Sequence, residues 1–315
     1  MKYLVTGVAG FIGSYLAERL IAQGNQVIGI DCFTDFYPRQ IKESNLKKLE
    51  TKKRFELIEA DLNQVELKPL LVRVQGVYHL SAQAGVRASW GKNFDYYLEH
   101  NIKATQRLLE AMLDFPKLKM VYASTSSVYG LTDQFPTKET ARKKPFSPYG
   151  VSKLACEGLC DLYHKNYGVQ VVILRYFTVF GARQRPDMAF HRFIRAVLLE
   201  EPITIYGDGK QKRDFTYIQD IVSGTIAGME KGKIGEAYNL GGGHQTRLID
   251  AIKMIFELMG KSTKLNYLPA QKGDVPETLA DTTKAKEDLD YNPQGSLKLG
   301  LKEEIIWVKK IIEKE

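Results

Sequence analysis

The 315-residue sequence predicts an α/β protein, a doubly wound parallel sheet followed by a smaller C-terminal α/β lobe. Three observations carry this expectation. Short β-branched runs alternate with longer amphipathic stretches through the first half, a glycine-rich turn joins the first run to the first such stretch, and the regularity fades after VQVVILRYF. Alternation of this kind argues for βαβ units, whose crossover helices cover both faces of a parallel sheet.

In chain order, KYLVTG, QVIGID, FELIEAD, GVYHLSA and LKMVYAS read as strands, and VQVVILRYF, starting at Val169, as the sixth. FIGSYLAERLIAQG and YYLEHNIKATQRLLEAML read as helices between them, the second as one continuous amphipathic stretch. Further on, ITIYGDG, RDFTYI and EAYNLGGG read as short strands and loops among the helices AFHRFIRAVLLE, LIDAIKMIFELMG and LKEEIIWVKKIIEK. The expected organisation is a nucleotide-binding domain over 1–178, with elements returning from about 215–240, and a substrate-binding lobe made mainly of 179–315. With no repeat, low-complexity tract or linker, the lobes are expected to pack around a cleft.

The composition, 44% hydrophobic and 26% charged, is that of an ordinary globular protein. No tract approaches the roughly eighteen apolar residues of a membrane span, so no membrane partner is expected. The chain runs from Met1 straight into a strand, which reads as lacking an export signal. Three cysteines, Cys32, Cys156 and Cys160, cannot all pair and read as thiols of a reducing compartment, here the cytoplasm. The net charge of +8 comes largely from scattered lysines such as Lys42, Lys47, Lys52 and Lys143, a solvated surface and no nucleic-acid site. No spacing of His, Cys, Asp and Glu predicts a metal.

The segment Thr6-Gly7-Val8-Ala9-Gly10-Phe11-Ile12-Gly13 lies between the first strand and the first helix. Glycines at 7, 10 and 13 allow a tight turn, close approach to a pyrophosphate and packing of helix on sheet, and the helix N-terminus offers free N–H groups. Asp31, at the end of the second strand, would accept from ribose hydroxyls and repel a 2′-phosphate. This is a Rossmann-type arrangement, and NAD is the expected cofactor.

Pro148-Tyr149-Gly150-Val151-Ser152-Lys153 opens a helix, which puts Tyr149 and Lys153 one turn apart on one face. An ammonium near a phenol lowers the phenol's pKa from about 10 toward neutrality, as a general base for a sugar or alcohol hydroxyl requires.

Through TGVAGFIGS, Asp31, Asp61-Leu62, HLSAQAGVR, Asn101, YASTSSVYG, SPYGVSK, RYFTVFG and GDGKQKRDFTYI the chain resembles, over essentially its whole length, the extended short-chain dehydrogenase/reductases, in particular the nucleotide-sugar epimerases and dehydratases. The resemblance implies that Thr125 partners Tyr149, that Lys153 also touches the nicotinamide ribose, and that Asp61 and Leu62 flank the adenine. It further implies cofactor contacts from Phe11, Ile12, Leu80, Ala82, Asn101, Tyr176 and Val179. It implies substrate contacts from Arg87, Ser126, Ser127 and Thr178, a diphosphate held by Arg213 with Arg192, a uridine bordered by Ile205 and Tyr206, and a homodimer built from stretches near 95–113 and 148–167. Ser81 and Thr178 depart from the alanine and asparagine common in the family.

Family members oxidise the sugar C4 hydroxyl to a 4-ketone. The dehydratases resembled here carry Asp-Glu after the threonine, and the decarboxylases a glutamate at the second position. Ser126-Ser127 cannot titrate, so return of the hydride to the opposite face, C4 epimerisation, is the expected reaction. An arginine fork suits a carboxylate. RQRPDMAFHRF and DCFTDFYPRQIK resemble UDP-glucuronate 4-epimerases, which makes Arg185 the expected carboxylate ligand, against a plain salt bridge to Asp187. UDP-glucose or UDP-N-acetylhexosamine epimerisation is the alternative within the fold, and a catalytically silent NAD-binding regulator the alternative outside enzymes.

Overall fold

The computed structural model describes residues 1–313. Strands β1 (Lys2–Thr6), β2 (Gln26–Asp31), β3 (Phe55–Glu59), β4 (Gly76–His79), β5 (Lys119–Thr125) and β6 (Gln170–Tyr176) form the expected parallel sheet. The two-residue strand β7 (Val179–Phe180), β8 (Ile203–Tyr206), β9 (Lys212–Asp214) and β10 (Thr216–Tyr217) follow, and then β11 (Ala237–Leu240) returns to the sheet beside β6. The seven-stranded order is β11-β6-β5-β4-β1-β2-β3. Strand order reverses between β1 and β4, and the crevice beyond their carboxyl ends is where such sheets bind ligands. Two short strands, β12 (Gln245–Arg247) and β13 (Leu265–Leu268), pair with β9 and β8.

Helices α1 (Phe11–Ala22), α2 (Arg39–Leu46), α3 (Lys68–Leu71), α4 (Phe94–Tyr97), α5 (Ala104–Met112) and α6 (Pro148–Tyr167) cross over between these strands. Beyond them α7 (Ala189–Leu198), α8 (Ile218–Glu230), α9 (Leu248–Met259), α10 (Thr283–Leu289) and α11 (Leu297–Ile312) complete the chain. Lys314, the last residue of the helix expected from LKEEIIWVKKIIEK, and the final residue of the 179–315 lobe lie outside the described residues.

Because successive strand residues face opposite ways, β1 sends Tyr3 and Val5 into one core and Leu4 into the other. The Leu4 side gathers Ile28, Val77, Met120, Tyr122, Val171 and Ile173 beneath α5 and α6. The opposite core runs without a break from Val5, Val121 and Val172 into Ile203, Ile252 and Val308. The C-terminal lobe therefore shares its apolar interior with the sheet, which holds the walls of the cleft in fixed relation.

Helix α6 begins where Ser147 accepts a hydrogen bond from the Gly150 N–H (3.1 Å) with Pro148 in the first turn, and it stops at Gly168, whose φ of 74° suits glycine. The stretch expected as one helix from YYLEHN to LLEAML is divided. Between α4 and α5, Leu98–Lys103 forms a π-helical segment. The wider turn carries Asn101 inward, where it is 1% exposed. Its Oδ1 accepts from the Gln83 N–H (2.7 Å), and its Nδ2 donates to the Gln83 carbonyl (3.0 Å) and to Ser152 Oγ (2.9 Å). Ser152 donates in turn to the Tyr149 carbonyl (2.8 Å). Asn101, expected to contact the cofactor, braces the loop after β4 against the first turn of α6, and one lone pair of its Oδ1 stays free of the bonds named. Asn101→Ala leaves both buried polar groups of Gln83 unpaired, a loss of about 2–4 kcal/mol. Urea unfolding should show a lower midpoint with an unchanged slope.

Candidate active site

The turn after β1 is shaped by close approach. Gly7 has φ of 70°, and a Cβ there would stand 2.9 Å from the Ser81 backbone, while one on Gly13 would stand 2.2 Å from the Gly7 carbonyl oxygen. Gly10 precedes α1, and no side chain caps this twelve-residue helix. Its N-terminal N–H groups are therefore available to an anion such as a pyrophosphate. Thr6 Oγ1 accepts from the N–H groups of Leu80 (3.1 Å) and Ser81 (3.0 Å), which lays the start of HLSAQAGVR, and with it Ala82, beside the glycine turn. Thr6 Oγ1 also meets His79 Nδ1 at 2.8 Å, and Thr105 Oγ1 lies 3.0 Å from the other ring nitrogen. Burial pushes the His79 pKa down to about 3, so this ring is a neutral strut beneath the crevice.

Asp31 takes the Ala9 N–H on one oxygen (3.0 Å) and the Phe33 N–H on the other (2.9 Å). Burial raises its pKa, while those N–H groups and the charge of Lys42 oppose the rise. Each oxygen keeps a further lone pair for a ribose hydroxyl. Asp61 is partly exposed at the end of the next strand, its Oδ1 bound by the Asn63 N–H (2.8 Å).

Five residues expected to contact the ligands have buried side chains. Phe11, Leu62, Tyr176, Val179 and Ile205 are 5%, 4%, 7%, 7% and 0% exposed and belong to the cores. The Tyr176 hydroxyl turns away to Thr225 Oγ1 (2.8 Å). Tyr176, Val179 and Ile205 are on strands, where alternate side chains point into the core. Ile12 keeps a partly exposed side chain.

At the end of β5, Thr125 hydrogen-bonds to the Tyr149 phenol, and its Oγ1 accepts from the Ser127 N–H (3.2 Å) and donates to Ser127 Oγ (3.2 Å). Tyr97 packs edge-on to Tyr149, 6.1 Å between ring centres. Burial raises the Tyr149 pKa, and the Thr125 hydrogen bond and the Arg185 charge pull against it. The expected depression toward neutrality by Lys153 is therefore not what the protein's own groups produce. Desolvation of the phenolate wins, and the opposing cation is Arg185. Lys153, 3% exposed, has its Nζ 4.4 Å from the centre of the Tyr122 ring, and burial lowers its pKa.

The opposite wall carries the arginines. Of the two in ARQRPD, Arg183 turns back into α1, donating to Ser14 Oγ (3.1 Å) and Glu18 (2.6 Å), and only Arg185 faces Tyr149 and Tyr37. Arg185 clasps Asp187 with Nε and Nη2 at 2.9 and 3.0 Å. Further out, Tyr206 is flanked by the Arg87 guanidinium at 4.3 Å and that of Arg192 at 5.9 Å. Arg87 also reaches Asp274 (2.7 Å), whose charge acts on Arg213 as well. Arg213 donates to the Lys212 and Pro276 carbonyls (2.9 and 3.2 Å), and Thr178 is partly exposed between the two walls. Sequence reasoning missed Tyr97, Tyr37 and Asp274. Tyr37 sits in a stretch, DCFTDFYP, whose aromatic content was a usable signal, whereas KGDVP around Asp274 offers none. His191 is 3% exposed, with Nδ1 3.2 Å from the Gln184 carbonyl, and packs edge-on to Trp307. Among the described residues no group of His, Cys, Asp and Glu could hold a metal ion.

A glycine cradle at a strand-order reversal, with a Thr–Tyr pair and a lysine beside it, defines an NAD-dependent short-chain oxidoreductase type of site. Residues 4–304 match the family described as GDP-mannose 4,6 dehydratase, and the chain belongs to this NAD-dependent epimerase/dehydratase family. It is similar, at 47% identity and a TM-score of 0.96, to the crystal structure of UDP-glucuronic acid 4-epimerase from Bacillus cereus in complex with UDP-glucuronic acid and NAD. That match covers 99% of this chain and 100% of the other. It is 43% identical to UDP-glucuronate 4-epimerase of Thermodesulfobacterium geofontis (strain OPF15), over 99% of this chain and 97% of that one. It is also 46% identical to an uncharacterized UDP-glucose epimerase of Bacillus subtilis (strain 168), over the full length of both.

The two titrations set the pH response. A base at Tyr149 would make turnover rise as pH climbs through its raised pKa, and an ammonium required at Lys153 would make turnover fall as pH passes its lowered one. Thr125→Val removes a group that lowers the Tyr149 pKa. The acid limb of the kcat–pH profile should then move to higher pH and kcat at pH 7 should fall about tenfold or more, whereas an unmoved limb would contradict the pairing.

Proposed function

We propose that the protein interconverts UDP-glucuronate and UDP-galacturonate by NAD-dependent epimerisation at C4. The observation that carries this reading is that the Arg185 charge acts on the Tyr149 phenol, so a guanidinium that can receive a carboxylate lies in the surroundings of the candidate base. The bare glycine turn, the uncapped α1 N-terminus and Asp31 fit a dinucleotide: the first two receive the pyrophosphate, Asp31 a ribose, and Lys153 the nicotinamide ribose. When bound, NAD accepts a hydride from C4 and returns it.

In this reading Tyr149 takes the C4 hydroxyl proton, Thr125 orients the phenol through their hydrogen bond, and Thr125 and the Arg185 charge favour the phenolate against burial. Arg87 and Arg192 around Tyr206, with Arg213, hold the UDP moiety while the 4-keto sugar turns over and presents its other face, and Tyr149 then gives the proton back. A 4-keto glucuronate is a β-keto acid and loses carbon dioxide when its C5–carboxylate bond aligns with the ketone π-system. Arg185 with the hydroxyls of Thr125, Ser126 and Ser127 supports a pose in which that alignment is avoided. No titratable group stands at 126 or 127 to run an elimination.

A second reading, UDP-glucose as substrate, draws on the Arg185–Asp187 clasp, which already neutralises the arginine. Arg185→Ala separates the two readings. UDP-glucose kcat/KM should fall only by the part that the lost Arg185 charge on Tyr149 accounts for, and that of UDP-glucuronate by roughly 10²-fold more, with pentose appearing among its products by NMR. Equal losses for both sugars would contradict the assignment.

The three free thiols support a reducing, cytoplasmic setting, and no helix among the described residues is long and apolar enough to cross a membrane. A homodimer is supported by α6, where Val151, Ala155, Gly158 and Leu162 recur at four- and three-residue steps, Val151 and Leu162 being about half exposed (49% and 52%). A Cβ on Gly158 would meet nothing within 4 Å, which leaves room for a close partner helix. Leu162→Glu should shift the particle from dimer to monomer mass in light scattering, and a native monomer would contradict the proposal.

A further inference from the structure

Helix α6 carries a third polar residue on the face that presents Tyr149 and Lys153. Glu157 follows Lys153 by four residues and is 3% exposed. Arg175, 2% exposed on β6, grips its carboxylate through Nε to Oε1 (2.9 Å) and Nη2 to Oε2 (2.8 Å). Ser124 Oγ donates to the same Oε1 at 2.6 Å. Ser124 is the residue before Thr125 and pairs in register with Arg175 across the β5–β6 ladder. Arg175 Nη1 continues the network to the Tyr129 hydroxyl (2.8 Å) and the Glu139 carbonyl (3.0 Å), and Tyr129 donates to Asn239 Oδ1 (2.7 Å).

This is a large polar investment directly beneath the reacting groups, in a layer otherwise made of Met120, Tyr122, Cys156 and Ile173. A buried ion pair is a poor source of net stability, since apolar replacements of similar volume often match or exceed it. Its placement has another consequence. A bidentate clasp on Glu157 fixes the rotation and axial position of α6 over β5 and β6, and the Ser124 bond fixes the end of β5 that presents Thr125. The carboxylate also balances the Arg175 cation one turn from Lys153.

We infer that Glu157 is a positioning residue for catalysis, seating Thr125 and Lys153 through Ser124 and Arg175 and keeping the region around the Lys153 ammonium charge-balanced. The inference rests on reading Tyr149 and Lys153 as the reactive pair. The groups facing Lys153 are Tyr122 from β5, His79 from β4, and Tyr149, Cys156, Cys160 and Glu157 from its own helix, while Lys143 approaches Glu157 at 3.9 Å from the loop before α6. His79 is neutral; against burial, Cys156, Cys160 and then the Glu157 charge raise the Lys153 pKa, and Arg175 is the cation ion-paired to that carboxylate.

The test is the titration of Lys153 in the intact protein, followed by NMR of ε-labelled lysine with Lys153→Met for assignment, beside the alkaline limb of the kcat–pH profile. Glu157→Gln should lower the Lys153 titration by about one pH unit, move the alkaline limb by the same amount and cut kcat about tenfold. Glu157→Asp, which keeps the charge, should hold the titration at the wild-type value. The double variant Glu157→Gln/Arg175→Met, which removes both charges, should titrate as wild type, and it carries the test if the single variant does not fold. An unmoved Lys153 in Glu157→Gln overturns the inference. So does an equal shift in Glu157→Asp, or a lowered titration in the double variant. A wild-type protein that turns over no UDP-sugar would count against the reading of function alone, because the NMR titration still reports on Glu157.

Discussion

Everything chemical in this molecule depends on how α6 lies against the carboxyl end of β5. A helix offers one face of side chains at four-residue steps, and Tyr149, Lys153 and Glu157 occupy that face here. Rotation of the helix by a fraction of a turn would carry the phenol away from Thr125 and the ammonium away from the Tyr122 ring together. Two devices oppose that rotation. At the N-terminal end Ser152 binds Asn101, which is presented by a π-helical turn from the neighbouring crossover. Two turns on, Glu157 is clasped from β6 and β5. Around them Cys156 and Cys160, small and apolar, are buried (0% and 1% exposed). The chain thus combines close packing with hydrogen bonds whose angles specify one orientation, whereas apolar contacts alone tolerate slippage.

The electrostatics of the crevice follow from the same burial. Desolvation raises the Tyr149 pKa and lowers that of Lys153, so both groups are held in their neutral forms more strongly than in water. In a base that must gain and lose a proton within each turnover, the influences that oppose desolvation limit how far the neutral form is favoured. Thr125 and Arg185 supply the pull toward the phenolate. His79, although central, adds no charge, because its ring is enclosed between two threonine hydroxyls.

Much of the frame was legible from local pattern. The six strands of the first half, the glycine turn, Asp31 and the start of α6 at Ser147-Pro148 all lie where spacing and capping chemistry put them. What spacing could not show was direction. Arg183 and Arg185 are two residues apart in one loop, yet one is spent on α1 and the other faces the crevice, because Arg183 sits at positive φ after the Gly181 turn. Tyr176, Val179 and Ile205 fall inside motifs that border the ligand, but the pleat turns their side chains into the core. Asn101 reads as part of an ordinary amphipathic helix, and only the π-helical segment brings its amide inward.

Sequence by itself determined the class of fold, the cofactor turn and the pairing of Tyr149 with Lys153, since each depends on residues within a few positions of one another, where backbone geometry dictates outcome. Tertiary structure decided which cation acts on Tyr149, which of Arg183 and Arg185 is spent on α1, and that Glu157 meets Arg175 and Ser124. Those relations join residues 18 to 36 positions apart, so they exist only once parallel strands and crossover helices have stacked. The pKa of the phenol belongs to that second group, because desolvation is a property of the assembled crevice and of no single segment.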